Sequence, residues 1–328
     1  MPPKPVVLVT ERIAEVGLQL LDKSCQICAP WRQNRLTSEE ELSSADAIIV
    51  RLFKITEAVL SAAPKLRVVG RHGAGIDNVD LKAATERRIP VVFTPSAQTM
   101  ANAVAEHTVQ MMLALARHAV AGDRMVREGH FAQRLSLQGV ELHGKTLGVI
   151  GLGAIGTRVA EICRDGFGMR VVAFDPYSKE LPSQKGFTRL ESLHALLRQS
   201  DVVTLHVPAT DETFHLINTE TLAHMKQSAL LINVARGSVL DTVALAEALS
   251  SGRLQGAALD VFEEEPPPTD HPLMSAPGTI FSPHIGSSTE AAMDRMAELV
   301  ARQVIQVLKG EWPAFVANPA VIANIPAV

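Results

Sequence analysis

The sequence predicts an α/β protein built on parallel sheets, and three observations predict it. Short apolar runs rich in Val and Ile alternate with helical apolar periodicity along most of the chain. Residues 145–177 read as strand, glycine turn, helix, strand, acid. Beyond Asp175, each suggestive polar group follows a predicted strand, the edge at which open parallel sheets bind ligands.

The elements follow in order. Strands are expected at 6–9, 47–50, 66–69 and 91–93. Helices are expected at 13–21, at 56–60 with Thr56 as cap, and at 81–87 with Asp80 as cap. This makes a small α/β domain spaced for parallel pairing. Its loop RHGAGID, 71–77, sets two glycines after a strand. Such a loop exposes backbone N–H groups that can hold an anion, or is a plain tight turn.

Pro95 and Ser96 mark a break. Residues 102–126 then read as one long helix carrying Val104, Val109, Met112, Leu113 and Leu115, with its methionines read as packing. Residues 129–144 are polar and irregular, an arm or linker. A second α/β unit follows. Its strands are expected at 147–150, 170–174, 202–205, 230–232, 257–259 and 280–281. Its later helices are expected at 190–197 and at 243–249, the latter capped by Asp241. The last helix, 288–309, returns to the first domain, and the tail from Trp312 lies along a surface.

The glycine turn carries the first functional argument. Gly151, Gly153 and Gly156 stand at G-x-G-x-x-G spacing. Gly151 permits the tight turn, Gly153 lets a pyrophosphate approach the backbone, and Gly156 lets the helix pack on the sheet. The helix N-terminus offers unpaired N–H groups to phosphate. Asp175 follows Gly156 where a carboxylate reaches both ribose hydroxyls and repels a 2′-phosphate, so the cofactor reading is NAD rather than NADP.

Composition narrows the partners. The 328 residues carry a net charge of −4, and no basic block stands out, which argues against nucleic acid and anionic membrane. The apolar run in MPPKPVVLVT is too short for a signal peptide, and no stretch approaches a membrane span, so a cytoplasmic protein is expected. Cys25 and Cys28 form a C-x-x-C, but strand alternation would put the thiols on opposite faces. No second pair or nearby His pair completes a metal site, so no metal is expected.

Arg236, Glu265 and His284 stand after three separate strands. Reducing a 2-keto acid needs a cation to hold the carboxylate, an acid to protonate the oxygen, and a group to orient that acid. Arg supplies a bidentate fork, His titrates near neutrality, and a carboxylate beside it favours the protonated ring. By themselves these residues are also compatible with a structural His, a surface Arg and a solvated run of acids at 263–265.

Here the chain resembles the D-isomer-specific 2-hydroxyacid dehydrogenases, specifically their phosphoglycerate dehydrogenase and hydroxypyruvate–glyoxylate reductase branch. The motifs are VIGLGAIG, SDVVTLHVPATDET, INVARGSVLD, GAALDVFEEEP and SPHIGSST, in family order over nearly the whole chain. The resemblance implies two Rossmann-like parallel-sheet domains, an NAD-binding domain (99–287) inserted into a discontinuous substrate domain (1–98 and 288–328), with the active site in a hinged cleft. It implies that His284 exchanges a proton with the 2-oxygen, Glu265 pairs with His284, and Arg236 binds substrate. It also implies cofactor contacts at Ala154, Ile155, His206, Val207, Pro208, Thr213, Ala235, Asp260, His284 and Gly286, beside the glycines and Asp175. Asp260 would meet the nicotinamide carboxamide. The backbone of Ala74 and Gly75 would bind the substrate carboxylate, and residues 102–145 would form a homodimer interface.

The resemblance also matches Arg51 and Arg71 to positions that are basic in phosphoglycerate dehydrogenases, where they face a distal phosphate. The expected partner is therefore a short polar 2-keto or 2-hydroxy acid: hydroxypyruvate, glyoxylate or 3-phosphohydroxypyruvate. A corepressor-like NAD(H)-sensing protein is the alternative on the same fold.

Overall fold

A computed structural model describes residues 3–178 and 186–324. The chain divides into two compact units, Met1–Met100 with Ser288–Val328, and Ala101–Ser287.

The first unit holds β1 (Val6–Val9), β2 (Gln26–Cys28), β3 (Ala47–Val50), β4 (Val68–Arg71) and β5 (Val91–Phe93). They pair in the order β2-β1-β3-β4-β5, all parallel. Both faces are covered, which is why β1 and β3 are apolar at every position. Leu8, Ile48 and Val50 pack on one face, Val7, Val9 and Ile49 on the other with Val300 and Val304 of the helix Glu290–Leu308. A Cβ at Gly70 would lie 2.8 Å from Val304 Cγ2, so this glycine sets how closely that helix approaches β4. The tail is more than a surface wrap. Val316 bridges Val92 antiparallel, and the Asn318 side chain accepts from Val91 N and donates to Ile89 O, which covers the β5 edge.

Cys25 belongs to one core face and Cys28 packs against the other. Both are free thiols. Burial raises the Cys25 pKa. Burial, with the Glu41 carboxylate beside it, pushes Cys28 up to about 11. Neither is a poised thiolate.

The second unit holds β6 (Thr146–Ile150), β7 (Arg170–Phe174), β8 (Thr188–Arg189), β9 (Val202–Leu205), β10 (Leu230–Asn233), β11 (Gly256–Leu259) and β12 (Thr279–Phe281). Its order is β12-β11-β10-β9-β6-β7-β8, again all parallel. The chain winds outward from β6 in both directions. The crevice between the carboxyl ends of β6 and β9 is therefore the topological switch point, where such sheets take ligands.

Three expectations need correction. The long helix expected over 102–126 is two helices, Ala101–Ala116 and Ala119–Arg127, broken where His118 adopts φ 52°. The two segments bury differently: Met111 and Met112 are core, while no residue of the second helix is buried. Val140 N bonds the Ala116 carbonyl at the break, a long-range contact that local periodicity does not carry. The strand expected at 66–69 lies two residues later, with Leu66 in the turn that leads into it. The helix expected at 190–197 is Leu193–Gln199, because Leu190 N still bonds the Ala173 carbonyl of β7 and Ser192 is the N-cap. Among the described residues, no helix is long and apolar enough to cross a membrane.

Candidate active site

The glycine turn leaves β6 at the switch point. Gly151 has φ 89°, and a Cβ there would lie 2.7 Å from the His206 carbonyl, which arrives from the end of β9. A Cβ at Gly156 would lie 2.1 Å from the Gly151 carbonyl, so the helix Ala154–Phe167 starts tight against the turn. At Gly153, the N-cap, a Cβ would meet nothing within 4 Å. Two glycines are thus required by protein contacts, and the third stands before open space at a helix N-terminus. That is the cradle a pyrophosphate needs, and Ala154 and Ile155 open the helix that supplies its amides. Asp175 ends β7. Its carboxylate accepts from Leu152 N at 2.9 Å and from Tyr177 N and Ser178 N, which ties the acid to the glycine turn.

The loop after β9 is closed on itself. The buried Thr213 donates to Pro208 O at 2.7 Å and accepts from Thr210 N at 2.8 Å, so its hydroxyl shapes the 206–213 loop. The His206 ring lies 2.9 Å from Thr204 Oγ1, and burial pushes its pKa down to about 3, so the ring is neutral.

After β10, Asn233 holds the next turn from both sides. Its Oδ1 accepts from Ala235 N at 3.0 Å, and its Nδ2 donates to Arg236 O at 2.9 Å. Arg236 Nη1 donates to Ala235 O at 2.6 Å. Gly237 follows, where a Cβ would overlap the Phe262 carbonyl carbon at 1.9 Å. The arginine turn therefore packs on the backbone of residues 262–263.

That segment leads to Glu265, and the next strand end leads to His284. His284 Nδ1 lies 2.8 Å from Glu265 Oε2, with side chains 42% and 34% exposed. Glu265 Oε1 also accepts from Phe262 N at 3.1 Å. Burial alone would raise the Glu265 pKa. The bonds from His284 and Phe262 N outweigh it, so the carboxyl is held below its ordinary range and stays charged at neutral pH. The acids at 263–265 are not a merely solvated run, because Glu263 pairs with His215 at 2.8 Å. His284 has φ 52°, a conformation that costs a non-glycine residue roughly 1–3 kcal/mol unless its surroundings fix it. Asp260, at the end of β11, supplies that fixing: its carbonyl accepts from His284 N, and its carboxylate from Ile285 N and Gly286 N.

The first unit places its own candidates together. Val50 and Arg71 are register partners on β3 and β4, so Arg51 and Arg71 stand side by side at that sheet's carboxyl edge. Glu11, following β1, accepts from the amides of Arg51, Leu52 and Phe53. Asn78 donates to the Arg51 and Phe53 carbonyls and accepts from Arg71 Nε at 3.0 Å. Arg71 also donates to the His72 carbonyl, and a Cβ on Gly73 would strike its guanidinium. Arg51 and Arg71 are thus anchored to the RHGAGID loop and its neighbour, with Ala74 and Gly75 partly buried in that loop. Between them His72 is kept neutral, its pKa pushed down to about 3 by burial and by both guanidinium groups.

Sequence reasoning did not single out Asn233, Glu11 or Asn78. Each is a polar residue next to a motif, and its partners become visible only once the strands are aligned. His194, Glu220 and His224 are the set among the described residues whose atoms could surround a metal, lying within 4.8 Å of one another. The two ring centroids lie 4.1 Å apart with the planes tilted by 36°, and the Arg198 guanidinium lies 3.5 Å from His224 Nδ1, so a cation already borders the set.

Strand, glycine turn, helix and second strand ending in an acid at a switch point define a dinucleotide-binding α/β protein. Residues 109–286 match the family model of the D-isomer specific 2-hydroxyacid dehydrogenase NAD-binding domain. The chain is 42% identical to the glyoxylate reductase of Thermofilum pendens, covering 98% of this chain and 97% of that one. It is 40% identical to the D-3-phosphoglycerate dehydrogenase of Methanocaldococcus jannaschii over 98% of this chain, but spans only 60% of that enzyme. Among solved structures, the D-lactate dehydrogenase of Aquifex aeolicus, complexed with NAD and lactic acid, superposes with a TM-score of 0.82. It is 34% identical and is covered over 96% of its length by 93% of this chain. The chain belongs to the D-isomer specific 2-hydroxyacid dehydrogenase family, NAD(P)-dependent oxidoreductases.

Proposed function

We propose that the protein is an NAD-dependent D-2-hydroxyacid dehydrogenase acting on a short polar substrate, glyoxylate or hydroxypyruvate foremost and 3-phosphohydroxypyruvate as the phosphorylated counterpart. The observation that carries this is the His284–Glu265 pair, held at 2.8 Å on the same sheet edge as the glycine turn. Glyoxylate is the substrate named for the T. pendens relative, which this chain matches over nearly its full length.

Each residue's part follows from its chemistry. Glu265 orients the His284 ring through Nδ1 and leaves Nε2 to exchange a proton with the 2-oxygen. The Arg236 fork holds the carboxylate and polarises the carbonyl. Gly151, Gly153, Ala154, Ile155 and Gly156 hold the pyrophosphate, and Asp175 the ribose. The 206–208 segment, Thr213, Ala235, Asp260 and Gly286 shape the nicotinamide side. Bound NADH supplies the hydride to C2. Arg51 and Arg71 receive the distal polar end of the substrate.

Glu265→Gln should move the pH profile. The wild-type carboxylate is charged at neutral pH and favours the protonated ring that reduction needs. Without that charge the ring gives up its proton earlier. The basic limb of reduction should move to lower pH, and the acidic limb of oxidation should move the same way. Rate profiles in both directions check this, and limbs that stay in place would remove Glu265 from the mechanism.

Asp175 sets the choice of cofactor. Asp175→Asn keeps an oxygen for the backbone amides but drops the charge. The NADH-over-NADPH preference in kcat/KM should fall by roughly ten- to a hundredfold, the scale of charge-assisted hydrogen bonds. An unchanged preference would contradict the ribose assignment.

We also assign a homodimer interface to residues 102–145. Val120, Val126, Phe131 and Leu135 are more than half exposed there, which favours a covering partner of the same chain. The free thiols suit a reducing compartment, and the cytoplasm is the location proposed.

A further inference from the structure

Asp260 is 1% exposed, and its carboxylate meets four donors. Oδ1 accepts from Ser282 Oγ at 2.5 Å and Ile285 N at 2.9 Å, and Oδ2 accepts from Gly286 N at 2.8 Å. The fourth is His107, on the helix Ala101–Ala116. Its Nε2 lies 3.0 Å from Ser282 Oγ and 3.3 Å from Asp260 Oδ1. The single Ser282 proton is committed to Asp260, so the serine oxygen is left to accept. That requires the His107 proton to sit on Nε2, shared between serine and carboxylate.

We propose that His107, with Ser282, is a positioning residue for catalysis. It locks the Asp260 carboxylate, and through it the left-handed turn that presents His284 to Glu265. This rests on the reading of His284 as the proton-transfer group. The chain of contacts is continuous: His107 to Asp260, Asp260 to the three successive amides of residues 284–286, and His284 to Glu265. The turn is packed onto the pair, since a Cβ at Gly286 would lie 3.0 Å from Asp260 Oδ2 and 3.6 Å from His107 Cδ2. The next residue of the same helix shows the contrast. Thr108 bonds its own helix at Val104 O, whereas His107 reaches across to the end of a strand. Burial would raise the Asp260 pKa. The bonds from His107, Ser282, Ile285 N and Gly286 N outweigh it and hold it below the usual range, so the group that clamps the turn is the charged form.

The test compares wild type with His107→Phe, which keeps ring volume without the N–H, and His107→Gln, whose amide N–H has a similar reach. Two readouts are taken on the full chain: steady-state reduction against pH, and the ring signals of His284 titrated by proton NMR, assigned with His284→Gln. His107→Phe should lower kcat by about tenfold or more, with KM for the keto acid within about threefold, since small misplacements of a reacting group act on rate. Its basic limb and the His284 ring titration should both move to lower pH, and His107→Gln should restore all three. A folded Phe variant with unchanged kcat, limb and ring titration would overturn the proposal, as would a Gln variant that fails as badly as Phe. If Phe does not fold, Ser282→Ala removes one donor without adding volume and must show the same displacement. Were wild type to reduce no keto acid, the activity reading would fail by itself, and the ring titrations would still decide this one.

Discussion

His284→Ala should lower kcat for keto-acid reduction by roughly 10²- to 10⁴-fold, the range for removing a positioned general acid. NADH binding should stay within about threefold, because the cradle at Gly151, Gly153 and Gly156 is built from other contacts. The backbone needs its own control, since residue 284 sits at φ 52°. Alanine tolerates that conformation poorly and asparagine better. His284→Asn should therefore match His284→Ala in lost rate while melting closer to wild type. Stopped-flow hydride transfer and thermal melts on the three proteins check both parts. A rate in His284→Asn near wild type would remove the imidazole from the chemistry.

Arg236→Gln should lower kcat/KM by roughly 10²- to 10⁴-fold, as two charge-assisted hydrogen bonds of about 1.5–3 kcal/mol each would predict. Both kinetic constants should suffer. KM rises because the carboxylate loses its fork, and kcat falls because the carbonyl loses a nearby cation. The turn itself should survive, because Asn233 grips Ala235 N and Arg236 O without the guanidinium. Arg236→Lys keeps the charge but not the planar fork and should recover only part of the loss. Saturation kinetics on the three proteins measure this. A Gln variant with a wild-type KM for the keto acid would take Arg236 off the substrate.

The glycine turn was legible from sequence because each glycine answers a separate steric demand, and the structure displays each one. Gly151 needs a positive φ, Gly156 faces a carbonyl, and Gly153 faces open space. The strand order was not legible, yet parallel pairing was, since strands such as AIIV leave no polar face for water. Arg236, Glu265 and His284 were readable as chemistry only through the family resemblance. Each alone is an ordinary polar residue after a strand. What sequence could not supply lies in long-range contacts. His107 looks like one polar residue on an apolar helix until Ser282 arrives 175 residues later. Glu11 looks like a solvated acid until the amides of 51–53 turn toward it. The break at His118 carries neither Gly nor Pro, and the segments beyond it are distinguished by what they bury.

Whether this chain reduces keto acids through His284 is decided by following nicotinamide absorbance with NADH or NADPH against glyoxylate, hydroxypyruvate, 3-phosphohydroxypyruvate, pyruvate and oxaloacetate, with His284→Ala run beside wild type. NADH-dependent turnover of one or two short polar keto acids is expected, with D-hydroxy acid as product and turnover lost in the variant. Tight NADH binding with no turnover of any of them, or turnover that survives in His284→Ala, would contradict it.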